Sequence, residues 1–299
     1  KLNQVLIEPV KKYLEGDKNL IIIPHRDLHF LPFQALKMSD GKFLIEQFVI
    51  SYAPSASVLN YCLDKKPQAG NKFMGLALGE LAIGNFSGLP GTEVEIQQLE
   101  SLYPGMISKS AEEFSETYFK NNSIGQNYIH VATHGYFDRQ QPMFSYLLMQ
   151  PGTDDDGRLT VEEIFKMDLN SKFVTLSACE TALGEIGEGD ELVGLSRAFI
   201  YAGTLGVVVS LWQVDDATTA WLMTRFHQYM NAGHNVSEAL TLAQRDIIQR
   251  NFSSTKNRGL KDIKLAESVQ QAVNRRNNST SRDPYYWAPF VIIGNGFVH

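Results

Sequence analysis

What most constrains this chain is an alternation of two patterns. Short apolar runs rich in β-branched residues are separated by stretches of helical periodicity, the arrangement that builds a parallel sheet covered by helices. The runs are Leu20–Pro24, Lys72–Leu78, Tyr128–Ala132, Phe173–Ser177, Gly206–Leu211 and Phe290–Ile293. Among the helical stretches, Thr92–Leu102 carries Val94, Ile96, Leu99 and Leu102, and Thr92 with Glu95 has the form of a capping box at its start. Helices are also predicted over Glu191–Ala202, Asp216–Met230 and Val236–Arg250. The predicted class is therefore α/β, with a mostly parallel central sheet flanked by helices. Residues 1–68 read as a smaller β-rich N-terminal lobe, ending in the polar stretch Asp64–Asn71, and 69–299 as the main unit. Asn251–Asp283 is polar and is expected to be loop.

Composition narrows the function classes. Hydrophobic residues make up 43% and charged ones 20% of 299 positions, enough for a substantial core. The net charge is −6 and no dense Lys/Arg block appears, which argues against nucleic acid as a partner. Only Cys62 and Cys179 are present, too few for a disulfide framework, so a reducing, cytoplasmic setting is expected. No apolar run reaches the roughly 18 residues of a membrane span. The chain starts at Lys1 with neither an initiator Met nor a signal-peptide pattern, and reads as a piece of something longer.

The chemistry concentrates in two segments, Tyr128-Ile-His-Val-Ala-Thr-His-Gly135 and Phe173-Val-Thr-Leu-Ser-Ala-Cys-Glu-Thr181. Each is a buried-strand pattern that ends in a reactive side chain followed by a turn. Sites in open α/β sheets form just beyond the carboxyl ends of the strands. If these strands are neighbours, His134 and Cys179 meet at that rim. They lie 45 residues apart (134 to 179), close to the roughly 50 that separate the pair in caspases. A cysteine beside an imidazole reaches its thiolate near neutral pH, and the histidine can then protonate a leaving amine. The N–H groups of Gly135 and Cys179 are candidates for an oxyanion hole. Taken singly, a strand-end Cys or His is more often structural; it is the order and spacing of the two together that carry the reading.

At these segments the sequence resembles the CHAT family (caspase-HetF associated with tetratricopeptide repeats). Matching stretches run through almost the whole chain: Pro24–Phe33, Leu89-Pro-Gly-Thr-Glu93, His130–Gly135, Asp156-Gly-Arg-Leu-Thr160, Leu176–Ala182, Gly203–Asp216 and Tyr285–Phe290. The resemblance implies a caspase-like catalytic region over 69–299, with the family's catalytic His and Cys on His134 and Cys179. It implies a cysteine endopeptidase acting on protein substrates, with no cofactor and no metal, regulated by an upstream or repeat-containing partner region. The nucleophile motif Ser-Ala-Cys-Glu-Thr lacks the caspase Gln and Gly, so caspase specificity for Asp is not implied. CHAT domains are also similar to separases, which cleave after Arg. Trp212-Gln-Val-Asp-Asp216 resembles a separase segment whose acid lines the specificity pocket, which points to Asp216, with Asp215 close by, and to cleavage after Arg or Lys. The competing reading of either Asp is a cap on the helix that follows. A non-catalytic caspase-fold scaffold and a non-peptide hydrolase using the same dyad are the alternative functions.

Other signals read more simply. His130 and His134 have zinc-like spacing only on a helix; four residues of strand span about 13 Å, and His130 is expected in the core. Asp154, Asp156, Gly157 and Glu163 resemble part of a calcium loop, but an Asp-Gly turn and a Thr160/Glu163 capping box explain the same letters. Gly184–Glu191 reads as a loop beside the nucleophile, and Cys62 as buried. Arg275, Arg276 and Arg282 are candidate positions for self-cleavage by an Arg-preferring peptidase.

Overall fold

The computed structural model describes residues 1–138, 140–180, 190–212, 216–249, 267, 269, 271 and 282–299, with 179, 180 and 190–193 described by their backbone alone. The predicted runs become strands β1 (Asn19–Ile22), β3 (Phe73–Ala77), β5 (Tyr128–Tyr136), β8 (Phe173–Glu180), β9 (Gly206–Ser210) and β10 (Phe290–Gly294). Four more were not expected: β2 (Val49–Tyr52), β4 (Ile107–Ser110), β6 (Tyr146–Leu148) and β7 (Arg158–Thr160). All belong to one sheet in the order β1-β2-β10-β9-β8-β5-β3-β4, with β6 joined to β5 and β7 to β6. β4, β3, β5, β8 and β9 run parallel, while β10 is antiparallel to β9 and parallel to β2. Residues 1–68 thus contribute β1 and β2 to the common sheet, and no break in it falls at residue 68.

The direction of the chain reverses between β3 and β5. From β3 it crosses through helix α3 (Pro90–Leu102) to β4, whereas from β5 it crosses the other way, through β6, β7 and helix α5 (Val161–Phe165), to β8. A crevice opens where such connections diverge. Because β3, β5, β8 and β9 are parallel, their carboxyl ends share one rim, and the segments that follow each strand meet there.

Helices α3 and α7 (Asp216–Asn231) cover one face of this central region. Ala132 of β5 packs with Ile96 and Leu99 of α3, and His130 of β5 meets His227 of α7. Helices α6 (Asp190–Tyr201) and α8 (Val236–Ile248) complete the scaffold, α8 starting in a capping box of Asn235 with Glu238. The main core joins Phe173, Leu176, Val207, Val208, Phe226 and Ile292, with Trp287 beneath Phe43 at a ring separation of 5.0 Å. Among the described residues no helix is long and apolar enough to cross a membrane.

Candidate active site

β5 and β8 are neighbours in parallel register, and His134 is the partner of Cys179. Both strands run further than their apolar stretches suggest, through Tyr136 and Glu180, because β6 pairs with β5 at Gly135 and Tyr136 and extends the ladder past the polar residues. Adjacent strand backbones lie about 4.8 Å apart, so the register alone places His134 and Cys179 side by side at the shared rim.

His134 is 4% exposed, and its protonation is dictated by one contact. Its Nε2 lies 2.7 Å from the carbonyl oxygen of Ser87. A carbonyl only accepts, so Nε2 carries the proton and Nδ1 is the basic nitrogen of the neutral ring. Nδ1 is buried and has no hydrogen-bond partner among the described residues. Burial pushes the imidazole below its ordinary range, and the Ser87 bond offsets part of that push. The ring of Phe86 lies 5.2 Å away and contributes to the burial. At neutral pH such a ring is an uncharged base with its free lone pair on Nδ1, the form a thiol requires as proton acceptor.

Ser87 belongs to a closed loop between β3 and α3. Leu89 donates its N–H to the Gly79 carbonyl at 2.6 Å, and Thr92 Oγ1 accepts from Gly79 N–H at 3.0 Å while donating to Leu89 O at 2.6 Å. Gly88 presses against the backbone of Glu80, where any Cβ would collide with the Glu80 carbonyl. The sequence offers no direct sign of this arrangement, since the group that orients His134 is a main-chain carbonyl. The indirect sign is the Gly88-Leu-Pro-Gly91 turn.

The expected capping box of Thr92 and Glu95 is not formed. Helix α3 begins at Pro90 with no side-chain cap, and Glu95 turns into the core, where it is 1% exposed. There Ser177 Oγ–H donates to Glu95 Oε2 at 3.2 Å. Glu95 Oε1 lies 3.3 Å from His130 Nε2, within ion-pair range but outside hydrogen-bond geometry. His130 Nδ1 in turn lies 3.2 Å from His227 Nε2, and His227 Nδ1 is 3.3 Å from the Tyr103 hydroxyl. Burial and the neighbouring His130 hold His227 well below its ordinary range, so it is neutral. His130 is thus the core histidine that was expected, and a buried polar chain lies directly below the His134–Cys179 level of the same two strands.

The remaining candidate residues divide clearly. Gly135 is buried in β5 between Leu147 of β6 and Glu180 of β8. Asp216 is the first residue of α7, half-buried, and its Oδ2 accepts the N–H of Gly91 at 2.7 Å. Asp215, residues 184–189, Arg275 and Arg276 lie outside the described residues. Arg282 pairs with Glu46 at 2.8 Å. Cys62 is fully buried, and burial raises its thiol.

The calcium-like stretch proves to be built around a lysine. Thr160 and Glu163 form the expected capping box of α5. Glu116, Asp155 and Glu163 converge closely enough to hold a metal, but the ammonium of Lys120 occupies the centre, at 2.7, 2.7 and 2.9 Å respectively.

Comparison with known proteins agrees with this architecture. In fold the chain is similar to the Arg-specific cysteine proteinase gingipain R (RgpB), with a TM-score of 0.51 at 10% identity, covering 97% of this chain and 66% of that one. It is similar to the Saccharomyces cerevisiae separase–securin complex with a TM-score of 0.50 at 16% identity, covering 89% of this chain and 14% of that one. Both neighbours have the caspase-like fold. Over 82 residues the chain is 34% identical to tetratricopeptide repeat protein 28 of Mus musculus, a match that covers 27% of this chain and only 3% of that protein. The CHAT domain model matches residues 1–295, nearly the full length, and the chain belongs to the CHAT domain family.

Proposed function

We propose that this chain is a cysteine endopeptidase with Cys179 as nucleophile and His134 as general base and acid. The observation that carries the reading is the Ser87–His134 contact, which leaves Nδ1 as the basic nitrogen on the residue paired with Cys179. Nδ1 takes the thiol proton and the thiolate attacks the scissile carbonyl. The tetrahedral oxyanion is held by the N–H groups of Gly135 and Cys179. As it collapses, the imidazolium gives its proton to the departing amine, leaving an acyl-enzyme. Water, deprotonated at Nδ1, then hydrolyses the thioester and returns the thiol.

Cleavage after Arg or Lys is part of the proposal. Asp216 follows β9 at the rim shared with β5 and β8, and its carboxylate, with that of Asp215, suits a guanidinium or ammonium. Likeness in fold to a gingipain described as Arg-specific supports the same preference. The match to a tetratricopeptide repeat protein supports control by a repeat-containing partner region.

The test is hydrolysis of a fluorogenic peptide panel varied at the residue before the scissile bond, with Cys179→Ala and His134→Ala alongside. Turnover after Arg or Lys that disappears in both variants is expected. Turnover that survives either substitution refutes the dyad, and equal turnover after Arg and Leu refutes the basic pocket.

A further inference from the structure

We propose that Asp216 is a positioning residue for His134, acting through the amide of Gly91 and the loop that carries the Ser87 carbonyl. The inference rests on the peptidase reading only for its kinetic consequence, since the contacts stand by themselves.

The contacts form one continuous path. Asp216, in the first turn of α7, accepts the N–H of Gly91, the second residue of α3, at 2.7 Å. The two helices have 16 and 13 residues, and each carries positive partial charge at its start. One carboxylate therefore stands at the start of both helices, where negative charge is favoured, and bonds the Gly91 N–H of α3. A Cβ at position 91 would lie 2.5 Å from the Asp216 carboxylate, so any larger residue there displaces that side chain from the Gly91 amide. Four residues before Gly91, the Ser87 carbonyl accepts from His134 Nε2.

Between these two bonds there is little slack. The loop is pinned to the start of α3 by Thr92, whose hydroxyl bridges Gly79 N–H and Leu89 O, and by the Leu89–Gly79 bond. Wherever the start of α3 sits, the Ser87 carbonyl follows. Asp216 fixes that position against α7, so a residue outside contact with the imidazole sets which of its nitrogens holds the proton. An Asp that only lined a specificity pocket would have no need of Gly91, and one that only capped its own helix would have no reason to reach α3.

The test reads the His134 Nε2–H directly. In protein labelled with ¹⁵N-histidine, a ring N–H held by a carbonyl exchanges slowly enough to give a proton signal, assigned by its loss in His134→Gln. The signal is expected in the wild type and in Asp216→Asn, whose amide oxygen can still accept from Gly91. It is expected to vanish in Asp216→Ala and in Gly91→Ala, the second of which keeps the Asp216 charge and guards against misfolding of the first. Persistence in both alanine variants overturns the proposal. Loss in all three, including Asp216→Asn, also overturns it, because charge rather than the bond would then be responsible. On an Arg-ending peptide, Gly91→Ala should lower kcat by roughly 10–100-fold with KM little changed. Wild-type protein that shows the signal pattern but hydrolyses no peptide refutes the peptidase reading and leaves the positioning role standing.

Discussion

Glu95 distinguishes a buried linchpin from a surface helix cap by the size of its effect. If it belonged to a solvent-facing capping box, changing it would cost less than about 1 kcal/mol. In the structure it is 1% exposed and accepts from Ser177 while facing His130. Glu95→Ala strips the Ser177 hydroxyl, itself 4% exposed, of its acceptor, which costs about 1–3 kcal/mol. It also removes the carboxyl oxygen that faces His130 and leaves a void where the Cγ methylene and the carboxyl group were packed, adding about 1–2 kcal/mol. The expected loss is therefore about 2–5 kcal/mol, a large part of the stability of a typical domain. Glu95→Gln keeps the volume and an acceptor for Ser177. Its NH₂ then meets His130 Nε2, and the histidine protons shift one nitrogen along the chain toward Tyr103, so the cost should stay near about 1 kcal/mol. Urea unfolding of the three proteins, compared at constant slope, measures both values. A loss below 1 kcal/mol for Glu95→Ala, or equal losses for Ala and Gln, would refute the argument.

Two further outcomes follow from the contacts described. Lys120→Met leaves Glu116, whose side chain is 1% exposed, without its cation, and should destabilise by about 2 kcal/mol near pH 7, less than a fully enclosed pair because the lysine side chain is 27% exposed. Burial already raises the Glu116 carboxyl, and an acid raised on folding is destabilising only while ionised, so the deficit should narrow as the pH falls from about 7 to about 5; a gap that widens in urea melts contradicts this. Phe86→Ala exposes the His134 ring, so its pKa should move up toward the ordinary 6.5 in an NMR titration, and a downward shift would show that burial is not what lowers it.

The strands that carry His134 and Cys179 were legible because they are buried along most of their length and their runs are dominated by apolar and β-branched residues. Their ends were not, since His134 and Cys179 interrupt the pattern while the ladder continues to Tyr136 and Glu180. β4 and β6 escaped notice for want of length and apolar character, Ile107-Ser-Lys-Ser110 being mostly polar and β6 only three residues long. The Thr92/Glu95 spacing fits a capping box and an inward-facing carboxylate equally well, and only the approach of Ser177 and His130 from other elements decides between them. The pairing of His134 with Cys179 was readable from order and spacing. The Ser87 carbonyl that sets the tautomer was not, because a backbone oxygen has no letter in the sequence.

The place of β10 in the sheet has a consequence for how the protein is made. Chain growth is vectorial, yet β10, the last of the described strands to be synthesised, lies in the interior between β2 and β9. β1 and β2 leave the ribosome first and, among the described strands, have only each other as partners until Phe290–Gly294 follows. Sealing the sheet is then the slow, long-range step of folding, and a nascent chain stalled before that strand would carry two unjoined sheets with open edges.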